Sequence, residues 1–293
     1  MAASGTTHAT VPPTAGWPRT ITDDTGATLT LQSAPKRIVS LAPSNTEILF
    51  ALGVGDRVVS DTESCDFPPE ALKLPHIGGI SAGDLERIEV EFPDLVVAVG
   101  FINQKLISAL RAAHITTLVV QPHTTADVMT SIRLIGSAVG KDKEAQRITA
   151  DMSTRLDQLR TLTSHAEVRP KTLVVYGVNP IYTSPPDSFI HDLIGVAGGS
   201  DVVQTPLPQN IISPAVVIER APDVIICAPS LRERLKALPG WSIVPAVKND
   251  RFYSPPGDGG LTRPGPRLVP GVEQLARYLH PELFDLTSGR GKH

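Results

Sequence analysis

The chain has 293 residues, 41% of them apolar and 19% charged, a balance that supports about two globular domains, each with its own buried core. The net charge of −3 argues against a nucleic-acid or anionic-membrane partner, and no run of about 18 apolar residues is present to span a bilayer. Two cysteines, Cys65 and Cys227, show neither a CxxC motif nor metal-type spacing, so they leave the redox compartment open, as well as the question of a disulfide between them.

Residues 1–16 are small, polar and proline-containing, the composition of a flexible tail. They lack the basic region and apolar stretch of a signal peptide, so either the protein is cytoplasmic or a signal was removed and a Met added to a mature sequence. Residues 17–32, WPRTITDDTGATLTLQ, alternate about a DDTG turn and read as a β-hairpin. The stretch RIVSLAPSNTEILFALG (37–53) is a β-branched strand running into a helix. Ser44 and Glu47 have the spacing of a capping box, and Gly53 stops the helix. The glycine-rich loop that would admit a phosphate at this junction is missing.

RVVS (57–60) is the next strand, followed by the loop DTESCDFPPEA. A short helix opens at Asp84, with Leu85, Ile88 and Phe92 expected on one face and Glu86 turned to water. Strand 93–100, helix 103–113, strand 115–122 and helix 127–139 complete this half. Residues 142–167 contain a helix of about 20 residues with Ile148, Met152, Leu156, Leu159 and Leu162 at steps of four and three.

The pattern then restarts. KTLVVYG (171–177) echoes KRIVSLA (36–42), and the Pro222-Asp223 pair echoes Pro93-Asp94 at a similar depth. The expected fold is α/β: two Rossmann-like lobes with parallel sheets, joined by one long rigid helix, with a ligand cleft between the lobes. The expected boundaries are a tail at 1–16, an N-terminal lobe at 17–141, the linking helix at 142–167, a C-terminal lobe at 168–286 and a tail at 287–293.

Ligands of open parallel sheets sit outside the carboxyl ends of the strands, which selects the candidate site residues. Ser44 and Asn45 offer hydroxyl, amide and backbone donors. Cys65, Asp66 and Phe67 follow one strand, and Phe101 follows another. Tyr182, after Asn179-Pro180, can stack on a flat macrocycle. Arg263 and Arg267, in the glycine- and proline-rich stretch 255–268 that also holds Asp258, can fork onto a phosphate, amide or carboxylate. The histidines are scattered and no H-x-H or H-E-x-x-H spacing appears, so no metal site is expected; His123, beyond a strand end, is the best placed of them for a haem or metal ligand. No G-x-S-x-G is present and DSFIHD (187–192) reads as a helix start, so an enzyme is not expected.

The segments KRIVSLAPSNTEILFALGVGDRVV, CDFPPEA, DLERIEVEFPDLVVA, GVNPIYTSPPDSFIHDLIGVAGGSDVV and RPGPRLVPGVEQLARYLHPELF are similar to the substrate-binding proteins of vitamin B12, haem and ferric-siderophore ABC importers. The resemblance runs from about residue 18 to residue 284 and is closest to the cobalamin-binding branch. It implies two α/β lobes on one long helix and a monomeric binding protein, periplasmic or otherwise extracytoplasmic, with or without a lipid anchor. It implies a corrinoid as ligand, with ferric siderophore or haem as the alternative, no separate cofactor, and the permease subunits of an ABC transporter as partners. GVNPIYTSP matches the stretch where that branch sets an aromatic residue, here Tyr182, against the corrinoid. The chain departs from the branch where Ile80 stands in place of a tryptophan ahead of the LERI helix, and again where Gln209 and Asn210 of the PQN stretch replace another. The resemblance also assigns Glu86 to docking on permease arginines. The matching position of the second half is Ala215, and Glu219 lies one helical turn later.

Overall fold

The protein is described by a computed structural model covering residues 16–254 and 261–288. The two expected tails fall almost wholly outside these residues, and so does Asp258. The chain forms two compact units. The first contains the residues up to Pro122, Ala126–Met152 and Arg263–Pro266; the second contains His123–Thr125, Ser153–Thr262 and the residues from Arg267 onward.

The first unit opens with the expected hairpin, β1 (Arg19–Thr22) antiparallel to β2 (Thr28–Leu31). Asp23 organises the turn by accepting from the Thr25 and Ala27 amides at 2.9 and 3.1 Å. Then follow β3 (Ile38–Ser40), α1 (Pro43–Ala51) and β4 (Val58–Ser60). A small hairpin pairs β5 (Gly78–Gly79) with β6 (Ala82–Gly83) and leads into α2 (Leu85–Glu89), β7 (Leu95–Val99), α3 (Gln104–Ala112), β8 (Thr117–Val120) and α4 (Thr125–Val139). The sheet order is β4-β3-β7-β8, parallel throughout. β7 is five buried residues in a row, as a strand covered on both faces must be. The free edge of β8 is blocked by the hairpin turn: the carboxylates of Asp23 and Asp24 accept the Val119 and Gln121 amides at 3.2 and 2.7 Å.

Two local expectations are corrected in this unit. Ser44 and Glu47 do not form a capping box: α1 starts two residues earlier, with Ala42 as N-cap and Pro43 in the first turn, and no side chain caps it. Proline needs no amide partner and already has a helical φ, so it takes the first position and draws Ser44 inside the helix. At the other end the expectation holds. Gly53, at φ 70°, donates to the Phe50 carbonyl and Val54 donates to that of Leu49, which closes the helix with a left-handed glycine. Phe92 is not on the apolar face of α2, which stops at Glu89. It sits at φ 45° and is 79% exposed, whereas Ile88 is fully buried.

Helix α5 (Asp142–Thr163) has 22 residues, starts in the first unit and finishes in the second. Ile148, Met152, Leu156 and Leu159 are its buried stripe, and Leu162 is only half-buried. At its start it lies so close to α4 that a Cβ on Gly136 would come within 2.4 Å of the Ala145 Cβ, which leaves room for glycine alone.

The second unit continues with β9 (Lys171–Val175), the hairpin β10 (Gly177–Val178) and β11 (Ile181–Tyr182), α6 (Phe189–Val196) and β12 (Ser200–Asp201). It goes on through α7 (Pro214–Arg220), β13 (Val224–Cys227), α8 (Arg232–Lys236), α9 (Pro245–Lys248) and β14 (Phe252–Tyr253) to α10 (Leu268–Leu279) and α11 (Pro281–Ser288). Its sheet order, β12-β9-β13-β14, is again parallel throughout. Trp241 is fully buried in the core of this unit with Leu173, Ile225, Leu235 and Val244. Arg263–Pro266 belong to the first unit, although the sequence places them in the C-terminal half.

The internal repeat has a physical basis. Asp84 caps α2 and Ser213 caps α7, each nine residues before its Pro-Asp pair. The residue before each proline is left-handed, Phe92 at φ 45° and Ala221 at φ 49°. The aspartate then anchors the neighbouring strand. The Asp94 carboxylate accepts the Lys36 and Arg37 amides at 2.7 and 3.0 Å, and the Asp223 carboxylate accepts the Lys171 amide at 2.9 Å. Replacing either aspartate by alanine is expected to cost about 1–2 kcal/mol, because a charged acceptor is removed from backbone donors. Denaturant melts in which both variants match the parent would show that the landmark is only a remnant of duplication.

Candidate ligand site

In the first unit the expected residues gather at the carboxyl end of the sheet because each follows a parallel strand. Ser44 and Asn45 follow β3 and are buried, and the Asn45 amide group donates to the Val97 carbonyl at 3.2 Å. Cys65, Asp66 and Phe67 follow β4; Phe67 is 38% exposed. Phe101 follows β7 and is 48% exposed. Ile80 lies in the β5–β6 turn and is held there by Asn103, whose Nδ2 donates to its carbonyl at 2.6 Å while Oδ1 accepts the Val99 amide at 3.0 Å. Asn103 was missed in the sequence, where it reads only as the first residue of helix 103–113.

Arg263 joins this group from the far end of the chain. Its guanidinium forks onto both oxygens of Asp66, reaches Glu47 Oε1 at 3.3 Å and donates to the Ser64 carbonyl at 3.4 Å. Glu47 is almost completely buried, so the residue expected to cap a helix is instead the inner half of an ion pair. Cys65 is buried, with the hydroxyls of Thr46 and Thr62 each 3.3 Å from its sulfur. Burial pushes its thiol up and pushes that of Cys227 up to about 11; both cysteines are free and poor nucleophiles.

In the second unit, Tyr182 ends the β10–β11 hairpin beyond β9 and is 44% exposed. The segment that holds Gln209 and Asn210 runs alongside it in the backbone: Tyr182 bridges to Ile211, and the Thr183 amide donates to the Asn210 carbonyl at 2.9 Å. Both residues are left-handed, at φ 55° and 57°, a backbone that non-glycine residues hold only where surrounding contacts impose it. Arg267 is half-buried at the N-cap of α10. Glu86 is exposed in the first turn of α2, Ala215 is exposed at the equivalent place of α7, and Glu219 is exposed further along that helix. His123 is exposed just beyond β8. Among the described residues, no group of three or more His, Cys, Asp or Glu side chains is arranged to hold a metal ion, and no helix is long and apolar enough to cross a membrane.

Two parallel sheets with partly exposed aromatics at their carboxyl ends, in two units sharing one long helix, define a solute-binding protein. The chain belongs to the periplasmic binding protein family, whose profile matches residues 38–258, within the vitamin B12, haem and ferric-siderophore importer group that its motifs resemble. It is similar to the uncharacterized ABC transporter substrate-binding lipoprotein YvrC of Bacillus subtilis, with 32% identity over 92% of this chain and 87% of the relative. Among solved structures it is similar to the periplasmic vitamin B12 binding protein BtuF of Vibrio cholerae, with 27% identity, a TM-score of 0.74 and coverage of 84% of this chain and 97% of that one. It is also similar to the periplasmic heme-binding protein RhuT of Roseiflexus sp. RS-1, with 26% identity, a TM-score of 0.77 and coverage of 86% of this chain and 100% of that one. As a member of this family it is a substrate-binding protein of an ABC importer.

Proposed function

We propose that this protein captures a corrinoid of the vitamin B12 type outside the cytoplasm and delivers it, as a monomer and without catalysing a reaction, to the permease subunits of its importer. The observation that carries the reading is the exposed Tyr182 beyond β9, beside Gln209 and Asn210. A flat macrocycle with an amide fringe wants an aromatic face flanked by amide donors and acceptors, and these residues supply both. Phe67, Phe101 and Ile80 add apolar surface at the carboxyl end of the first sheet. The relative from Vibrio cholerae named for vitamin B12 supports the same choice. Likeness to a haem-binding protein makes haem the second reading. Glu86 remains the proposed contact with the permease, with Glu219 as its weaker counterpart, since Ala215 stands at the matching place.

Calorimetric titration with cyanocobalamin, cobinamide, haemin and a ferric hydroxamate tests this reading. One-to-one cyanocobalamin binding is expected, weakened about tenfold or more by Tyr182→Ala, as for an aromatic anchor. Tight haemin or hydroxamate binding with none for either corrinoid would replace the ligand and leave the family unchanged.

A further inference from the structure

Each unit carries a buried aspartate held by a partly exposed histidine at the same place in its sheet. In the first unit Asp61 directly follows β4 and its side chain is 0% exposed; Oδ1 lies 2.7 Å from His76 Nδ1, and Oδ2 is buried with no hydrogen-bond partner. In the second unit Asp201 ends β12 and its side chain is 3% exposed; Oδ2 lies 3.2 Å from His191 Nδ1, and Oδ1 accepts the Val203 amide at 2.9 Å. β4 and β12 are equivalent strands, each outermost beside the first long strand of its sheet. The imidazoles are 35% and 32% exposed, so protons reach them from solvent.

Few other charges face either pair. Asp61 faces His76 and the Cys65 thiol; the nearest cation beyond them, Arg87, donates to the His76 carbonyl at 3.5 Å rather than to the carboxylate. Asp201 faces His191, Arg220, whose guanidinium is engaged by the Val202 carbonyl, and the Tyr176 phenol. Beside His191, the Asp192 carboxylate is turned to the Thr125 amide at 3.2 Å. A carboxylate taken out of water with little more than a histidine and one weak or single donor to solvate it is short of solvation, and a proton relieves it.

We propose that the two Asp–His pairs are a matched proton-responsive clamp, which takes up protons in mild acid and tightens the segment that follows each strand. These segments carry the proposed ligand residues Cys65, Asp66 and Phe67 in one unit and Gln209 and Asn210 in the other. Burial, opposed by His76, pushes the Asp61 carboxyl up to about 6, and burial likewise pushes Asp201 above the usual carboxylate range. The sign follows from linkage. An acid whose proton is held more tightly in the folded chain than in the unfolded one adds stability as pH falls through the folded value, and this stability is lost as pH rises back through it. For Asp61 the window runs from about pH 6 down to about pH 4. The device works whichever ligand is carried.

The test is a carbon-13 NMR titration of the aspartate carboxyls in the intact protein, paired with urea melts from pH 7 to pH 4.5. Two carboxyl resonances are expected to titrate above the ordinary range, one of them near pH 6, and Asp61→Asn and Asp201→Asn should each remove one. The unfolding equilibrium constant of the wild type should fall by about thirtyfold relative to Asp61→Asn across the Asp61 window. His76→Gln keeps the carboxyl but removes the histidine that lowers it, so that resonance should move to still higher pH, which a purely structural histidine would not cause. Aspartate carboxyls that all titrate below about pH 4.5 overturn the proposal, even if no variant folds.

Discussion

Replacing Arg263 by methionine is expected to destabilise the first unit by about 3 kcal/mol, the cost of removing a charged donor shared by two carboxylates, one of them buried. Glu47 is 2% exposed and Arg263 18%, so solvent cannot take over when the guanidinium is removed. Asp66 is 38% exposed and can turn to water, so Glu47 sets the cost. Urea melts decide this. A single variant within about 1 kcal/mol of the parent would mean that Glu47 finds another cation or water, and that the pair is a surface bridge in its energetics.

Trp241→Ala is expected to cost a similar amount, about 3–5 kcal/mol, in the second unit. The indole is fully buried among Leu173, Ile225, Leu235 and Val244, and its loss opens a cavity in a core built on short strands. Trp241→Phe should cost far less than the alanine variant. Phenylalanine keeps one ring of packing and removes an indole N–H that is buried with no hydrogen-bond partner. Equal losses for the two variants would show that the indole nitrogen has a partner, such as an ordered water, that offsets its burial.

Much of this architecture was legible because buried parallel strands announce themselves as unbroken apolar runs. LVVAV and VIIC are such runs, and both are strands. The Pro-Asp landmark also read correctly as a repeat, since its chemistry needs an aspartate at one fixed distance from the strand it anchors. Placement at the carboxyl ends of the strands followed from topology, which is why Phe67, Phe101 and Tyr182 come out at those ends and partly exposed. The ion pair was not legible. Ser44 and Glu47 have capping-box spacing, but Pro43 took the first turn, and the true partner of Glu47 lies 216 residues further on. The Asp–His pairs left no trace either, because their members are 15 and 10 residues apart and belong to different segments, so no periodicity links them. The two-residue strands are too short to show alternation and are defined by their neighbours.

The Asp94 and Asp223 anchors also bear on how the chain avoids mistakes while folding. Parallel partners here are joined across 58 and 52 residues, a separation at which apolar strands of similar composition slide past one another with little local penalty. A carboxylate waiting at the entry of the neighbouring strand changes that. In the native alignment it meets backbone amides at the start of β3 or β9, and in an alignment shifted by one residue it meets carbonyls or side chains instead. Each half therefore carries its own register mark, placed where the strand begins, which favours the native alignment over a shifted one.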